Sequence, residues 1–284
     1  MENPELVLLL SCPDRRGIVA DVSRFLFEHN CNILDSQQFG DREQGLFFMR
    51  KHFISEAGLD KSQLEQEFMP VAEKFAMRPF FFDARVKTRA VIMVSKFGHA
   101  LVDLLYRCRI GALCIEVPLI VSNHRDFEDV AEAHGVPFVH LPIKPGNKQA
   151  AEDELSGLLA EHQIELIVLA RYMQILSDEF CRPRLGQIIN IHHSFLPSFK
   201  GANPYTQAHA RGVKLIGATA HYVTGDLDEG PIIEQAVERV THALDPDDYV
   251  GVGRDIENAV LARAVKWHCE HRILLNGRRT VIFP

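Results

Sequence analysis

No C-x-x-C pair, no long apolar run, no surplus of positive charge and no glycine-rich phosphate loop occur in this sequence of 284 residues. Each absence closes off a class of function. The six cysteines (Cys12, Cys31, Cys108, Cys114, Cys181 and Cys269) are scattered. A zinc ribbon, a redox dithiol and a disulfide framework are therefore all unexpected, and the thiols read as reduced. No stretch approaches the roughly 20 apolar residues of a membrane helix. The opening segment, MENPELVLLLSCPDRRG, starts acidic and its apolar part is too short for a signal peptide, so a cytoplasmic protein is expected. A formal charge of −7 argues against a nucleic-acid partner, although a few local Lys or Arg residues can still hold a small anion. Between Val94 and Ala100 the only glycine is Gly98. That turn offers little of the close backbone approach a phosphate cradle needs.

What is present fits an ordinary globular chain, 46% hydrophobic and 24% charged. The length suggests about two domains on a prior of roughly 150 residues each, and the pattern divides them into 1–86 and 87–284. In the first, strand-like runs at Glu5–Ser11, Cys31–Gln38, Gly45–Ile54 and Pro79–Val86 alternate with helical periodicity over Ile18–His29 and Leu59–Ala76. This β-α-β-β-α-β order predicts a ferredoxin-like fold. The Phe80-Phe81-Phe82 run reads as edge-strand core near the boundary. In the second part, strands at Arg89–Ser95, Ile115–Val121, Pro137–Leu141, Leu166–Ala170 and Gln187–His192 are separated by helices, which predicts a Rossmann-like, mostly parallel sheet. A long helix over Tyr249–Leu274 and a strand over Arg279–Phe283 are expected to close the chain.

The chemistry concentrates in IINIHHSFLPSFKG, Ile188 to Gly201. Asn190 and His192 are two apart on a strand, so both point to one face, with Ile191 and His193 on the other. They sit at the carboxyl end, where α/β sheets bind ligands. An amide donor beside an imidazole suits stabilising an oxyanion and moving a proton. The loop TGDLDEGP, Thr224 to Pro231, offers three carboxylates (Asp226, Asp228 and Glu229) as the missing partner, and the residues alone do not choose among them. Zinc on His192, His193 and His221 is not expected, because adjacent strand residues point apart and no ligand spacing recurs.

Two resemblances extend this reading. Leu8-Leu9-Leu10-Ser11, Asp14, Gly17-Ile18-Val19 and Asn32-Ile33 resemble an ACT domain. That implies a regulatory or assembly module, with Asp14, Gly17 and Ile18 as a candidate amino-acid effector site and a homo-oligomer as the expected state. Asn190-Ile191-His192-His193-Ser194-Phe195-Leu196-Pro197, Gly217 to Val223 and Leu227-Asp228-Glu229-Gly230-Pro231 resemble the formyltransferase family that uses 10-formyltetrahydrofolate. By matching position the resemblance implies Asn190, His192 and Asp228 as the catalytic trio. It places folate on two loops, Arg171, Met173, Gln174, Ile175 and Leu176, and Val223, Thr224, Gly225, Asp226 and Leu227. His193 and His221 are expected behind the trio, and neither metal nor cofactor is implied. An ACT module followed by this fold is similar to the hydrolytic, deformylase branch of the family. That branch implies hydrolysis of 10-formyltetrahydrofolate to formate and tetrahydrofolate, balancing one-carbon pools and supplying formate for purine biosynthesis. Asn203 and Thr206 depart from the Arg and His common there. A folate-binding regulator without catalysis, and a transformylase using an amine acceptor, are the alternatives.

Overall fold

The computed structural model describes residues 3–196 and 204–284, with the side chain of Pro204 excepted. The chain divides into two compact units.

The first unit comprises Met1–Lys87 together with Glu270–Asn276 and Thr280–Pro284. Its elements are β1 (Glu5–Pro13), α1 (Ile18–Glu28), β2 (Cys31–Asp41), β3 (Leu46–Ser55), α2 (Lys61–Phe75) and β4 (Arg78–Asp83). The antiparallel sheet has the order β2-β3-β1-β4, the ferredoxin-like arrangement. The unbroken apolar run Leu6 to Leu10 is explained by cover on both faces. Leu6, Leu8 and Leu10 pack with Ile18, Val22 and Phe68 of the helices. Val7 and Leu9 face the other way and pack with Phe48, Leu274, Val281 and Phe283. α2 opens on a capping box, with Asp60 accepting from the Gln63 N–H and Gln63 from the Asp60 N–H, each at 2.9 Å. The phenylalanine run splits three ways. Phe81 is core, Phe82 stacks on His271 with ring centroids 3.7 Å apart, and Phe80 is exposed.

The second unit is Thr88–Cys269 with Gly277–Arg279. In chain order it contains β5 (Thr88–Val94), α3 (His99–Arg109), β6 (Ile115–Ser122), α4 (Glu128–Ala133), β7 (Phe138–His140), α5 (Lys148–Glu161) and β8 (Leu166–Leu169). Then follow α6 (Asp178–Cys181), a short 3₁₀ turn (Arg182–Arg184), β9 (Ile188–His192), α7 (Pro204–Ala210), β10 (Leu215–Tyr222), β11 (Ile232–Arg239) and α8 (Pro246–Cys269). The seven strands lie in the order β11-β10-β9-β8-β5-β6-β7. Strands β5 to β9 pair in parallel, while β10 runs antiparallel to both β9 and β11. Chain order reverses direction between β5 and β8, and a crevice at the carboxyl ends of strands is where such sheets take ligands.

The C-terminus corrects two expectations. The long helix ends at Cys269 rather than Leu274, and Ile273–Asn276 instead form strand β12, paired with β13 (Arg279–Ile282). Leu274, Val281 and Phe283 complete the first unit's sheet face, so residues 270–276 and 280–284 belong to that unit and not to a domain running from 87 to 284. His271 at φ 51 breaks the helical path that the apolar periodicity alone would continue.

Candidate active site

Strand β9 delivers Asn190 and His192, and antiparallel β10 places His221 opposite Asn190 and Thr219 opposite His192. The loop after β10 folds back over them. Asp228 adopts φ 57, a left-handed conformation that turns its carboxylate inward. Gly230 allows this fold-back, since a Cβ there would collide with the Tyr222 carbonyl oxygen. Gly225 is likewise packed against the Asp178 carboxylate.

Asp228 Oδ2 lies 3.2 Å from His192 Nδ1, and its Oδ1 lies 3.6 Å from His221 Nε2. Burial pushes the Asp228 carboxyl up, but the His192 and His221 rings, which donate to it and carry charge when protonated at low pH, outweigh burial and hold its pKa well below the usual carboxylate range. The carboxylate is therefore ionised and accepts from His192 Nδ1–H. In the neutral ring Nε2 is then unprotonated, and this atom is fully buried with no hydrogen-bond partner. His221 Nδ1 lies 2.9 Å from Tyr222 O, a pure acceptor, so Nδ1 carries the proton and Nε2 accepts from Asn190 Nδ2 at 3.2 Å. That bond fixes the Asn190 amide and leaves its second N–H for a ligand.

A buried network holds the end of β9. Thr219 Oγ1 donates to Ser194 O at 3.0 Å and accepts from Leu196 N at 3.1 Å and Gln235 Nε2 at 3.0 Å. The segment after β8 is pinned at both ends. Ser95 Oγ donates to Asn123 and accepts from Met173 N at 3.0 Å, while buried Glu152 accepts from the backbone and hydroxyl of Ser177.

These elements enclose a cavity of about 300 Å³. Both loops expected to hold folate, 171–176 and 223–227, line it, together with Asn190, His192, His193, His221 and Asp228. Exposed Met173, Ile175 and Leu227 give it an apolar rim, the character of a site for a flat organic ligand. Of the three loop acids, Asp228 turns to the histidines, Asp226 lines the cavity farther out, and Glu229 lies 3.8 Å from Arg278.

Several expectations are corrected or fall elsewhere. His193 does not face away from His192. The strand ends at His192, the chain bends, and the two rings lie 5.2 Å apart on the same cavity. Burial and the nearby Arg171 charge push His193 down to about 4, so it is neutral near pH 7. Among the described residues, no group of three or more His, Cys, Asp or Glu could hold a metal ion. Ile18 is buried in the first unit's core, which removes its side chain from an effector site. Asp14 and Gly17 stay exposed, and Gly17 has φ 96 ahead of α1. Asn203 lies outside the described residues, as do Lys200, Pro197 and Gly201. Thr206 is exposed and borders a second cavity. Gly98 packs under the Phe127 ring rather than facing a ligand. Sequence reasoning missed Thr219, Gln235 and Glu152, whose roles come from partners 16–25 residues away and leave no local signal.

The site and fold together define an α/β enzyme domain with an amide, an imidazole and a carboxylate gathered at strand ends. A family model described as formyl transferase matches residues 88–265, and one for the ACT domain matches residues 6–68. The chain is 49% identical to a formyltetrahydrofolate deformylase of Corynebacterium sp. (strain P-1), over 97% of each chain. It is 46% identical to one from Synechocystis sp., over 100% of each. The crystal structure of the formyltetrahydrofolate deformylase from Burkholderia mallei superposes with a TM-score of 0.95 at 49% identity, covering 99% of this chain and 100% of that one. The chain belongs to the formyl transferase family, in its formyltetrahydrofolate deformylase branch.

Proposed function

We propose that this chain hydrolyses 10-formyltetrahydrofolate to formate and tetrahydrofolate, with Asn190, His192 and Asp228 as its catalytic residues. The observation that carries the reading is the buried, unpartnered Nε2 of His192, on a ring held by Asp228 and lining the same cavity as Asn190. The pterin lies between 171–176 and 223–227. Water attacks the formyl carbon while His192 Nε2 takes one of its protons, and ionised Asp228 steadies the imidazolium. Asn190 Nδ2 donates to the oxyanion of the tetrahedral intermediate. The C–N10 bond then breaks, the electron pair goes to N10, and His192 returns the proton to it. Formic acid leaves, and loses its proton as formate.

The hydrolytic reading is favoured over amine transfer because the β5–α3 turn lacks a phosphate cradle and its single glycine is filled by Phe127. The trio's intact geometry favours it over a catalytically silent regulator. The exposed Asp14–Gly17 turn, where α1 begins without a side-chain cap, is the place for an amino-acid effector. On the same reading the chain is a cytoplasmic homo-oligomer whose formate supplies purine synthesis, and no described helix is long and apolar enough to cross a membrane. Following tetrahydrofolate and formate from 10-formyltetrahydrofolate tests the activity. Equal release of both supports hydrolysis, and release that persists in Asp228→Asn removes Asp228 from the mechanism.

A further inference from the structure

A second cavity, of about 250 Å³, adjoins the first. Its walls include His99, Tyr205, Arg254 and Glu257, and Arg171 and His193 line both cavities. Arg171 is the unusual member. It adopts φ 65, a region that non-glycine residues rarely enter and that clusters at functional sites. Its side chain is 11% exposed, and its Nε and Nη1 are fully buried without a hydrogen-bond acceptor. The nearest carboxylate, Glu257, stands 3.5 Å from Nη1. The oxygens of Glu257 are already engaged, by His99 Nε2 at 2.8 Å and the Tyr205 hydroxyl at 2.7 Å. A buried guanidinium with unused N–H groups is costly unless an anion meets it.

The reaction makes such an anion. Formate forms at a buried centre, where His192 is 7% and His221 2% exposed. Tetrahydrofolate still fills the first cavity, so the small product needs another way out, and the wall shared by the two cavities is where Arg171 stands. Arg254 adds a second positive charge, and both oxygens of the single lining carboxylate are already taken by His99 and Tyr205. We propose that the second cavity receives the formate anion, with the Arg171 guanidinium as its principal ligand. This inference rests on the hydrolytic reading for the source of the anion, while its test does not.

The test titrates sodium formate into the full-length protein by calorimetry, without folate and again with saturating tetrahydrofolate, with sodium chloride as the control. Binding is expected in both cases, because the folate cavity is not the formate site. Arg171→Gly removes the guanidinium at a φ that glycine favours, so the backbone gains rather than suffers. This variant is expected to weaken formate binding at least about tenfold, the loss for one charged hydrogen bond. Arg171→Lys, which keeps the charge, should fall between, and it decides the matter should circular dichroism find Arg171→Gly misfolded. Absence of formate binding by the native protein, an isotherm that chloride reproduces, or equal affinity in the variants would overturn the proposal. Formate binding without folate turnover would instead count against the hydrolytic reading alone.

Discussion

The Asn190 amide has one N–H committed to His221 and one pointed at the cavity, so its removal should act on the transition state more than on binding. Asn190→Ala is expected to lower kcat by about 3–4 kcal/mol of lost oxyanion stabilisation, with KM little changed. Asp228→Asn cannot accept from His192 Nδ1–H as a carboxylate does, and a loss on the order of 10²–10⁴ in kcat is expected. Steady-state kinetics of both variants check this, and a loss confined to KM would contradict it. The buried histidines set a pH dependence of stability. His193 and His268 are each pushed down by burial from about 6.5 to about 4. Between those values the unfolded chain binds more protons than the folded one, so stability falls as pH drops through that window and is fully regained above about 6.5. Urea unfolding across the window should show the fall, and His193→Gln should make it shallower. The grouping of Asn190, His192 and Asp228 around one cavity was legible in the sequence because N-I-H and L-D-E-G are contiguous signatures. The side on which His193 points was not, because a period-2 argument fails one residue past the strand's end.

At the scale of elements, two devices hold the site. The Thr219 hydroxyl satisfies three partners at once, tying the segment after β9 to β10 and β11. Thr219→Val keeps the shape and removes all three bonds, taking its acceptor from the buried Leu196 N–H. A stability loss of about 1–3 kcal/mol is expected by thermal melting, with reduced kcat from a looser His192. Unchanged activity would detach this network from the site. The loop carrying Asp228 depends on Gly230 lying against the Tyr222 carbonyl, which itself fixes His221. The parallel strands β5 to β8 were readable as apolar runs between helices. Antiparallel β11 was not, since Ile232–Arg239 ends in exposed polar residues and lies at the sheet's edge. The Tyr249–Leu274 helix was read too long for a related reason. Short apolar segments fit helix and strand alike, and the turn near His271 carries no proline or glycine.

For the whole molecule, the last fifteen residues matter beyond their length. Leu274, Val281 and Phe283 cover Val7, Leu9 and Phe48, and the carbonyls of Glu270 and His271 accept from buried Arg50 at 3.1 and 2.9 Å. Truncation after Cys269 is expected to strip one face of the first unit's sheet, at roughly 1.5–3 kcal/mol per large buried side chain. A lowered melting temperature and binding of a hydrophobic dye would register it. A truncated chain melting like the intact one would contradict the packing. The two-unit plan was visible in the change from a split β-α-β pattern to alternating strands and helices, whereas the return of the C-terminus to the first unit rests on long-range packing that no local pattern encodes. The proposed mechanism stands or falls on water, not an amine, taking the formyl carbon at the His192–Asp228 pair. Turnover of 10-formyltetrahydrofolate in heavy-oxygen water with no amine present is the decisive measurement. The expected product is formate carrying one heavy oxygen, equimolar with tetrahydrofolate and lost in Asp228→Asn. Absence of formate, with the formyl group passing instead to an added amine, would overturn that mechanism.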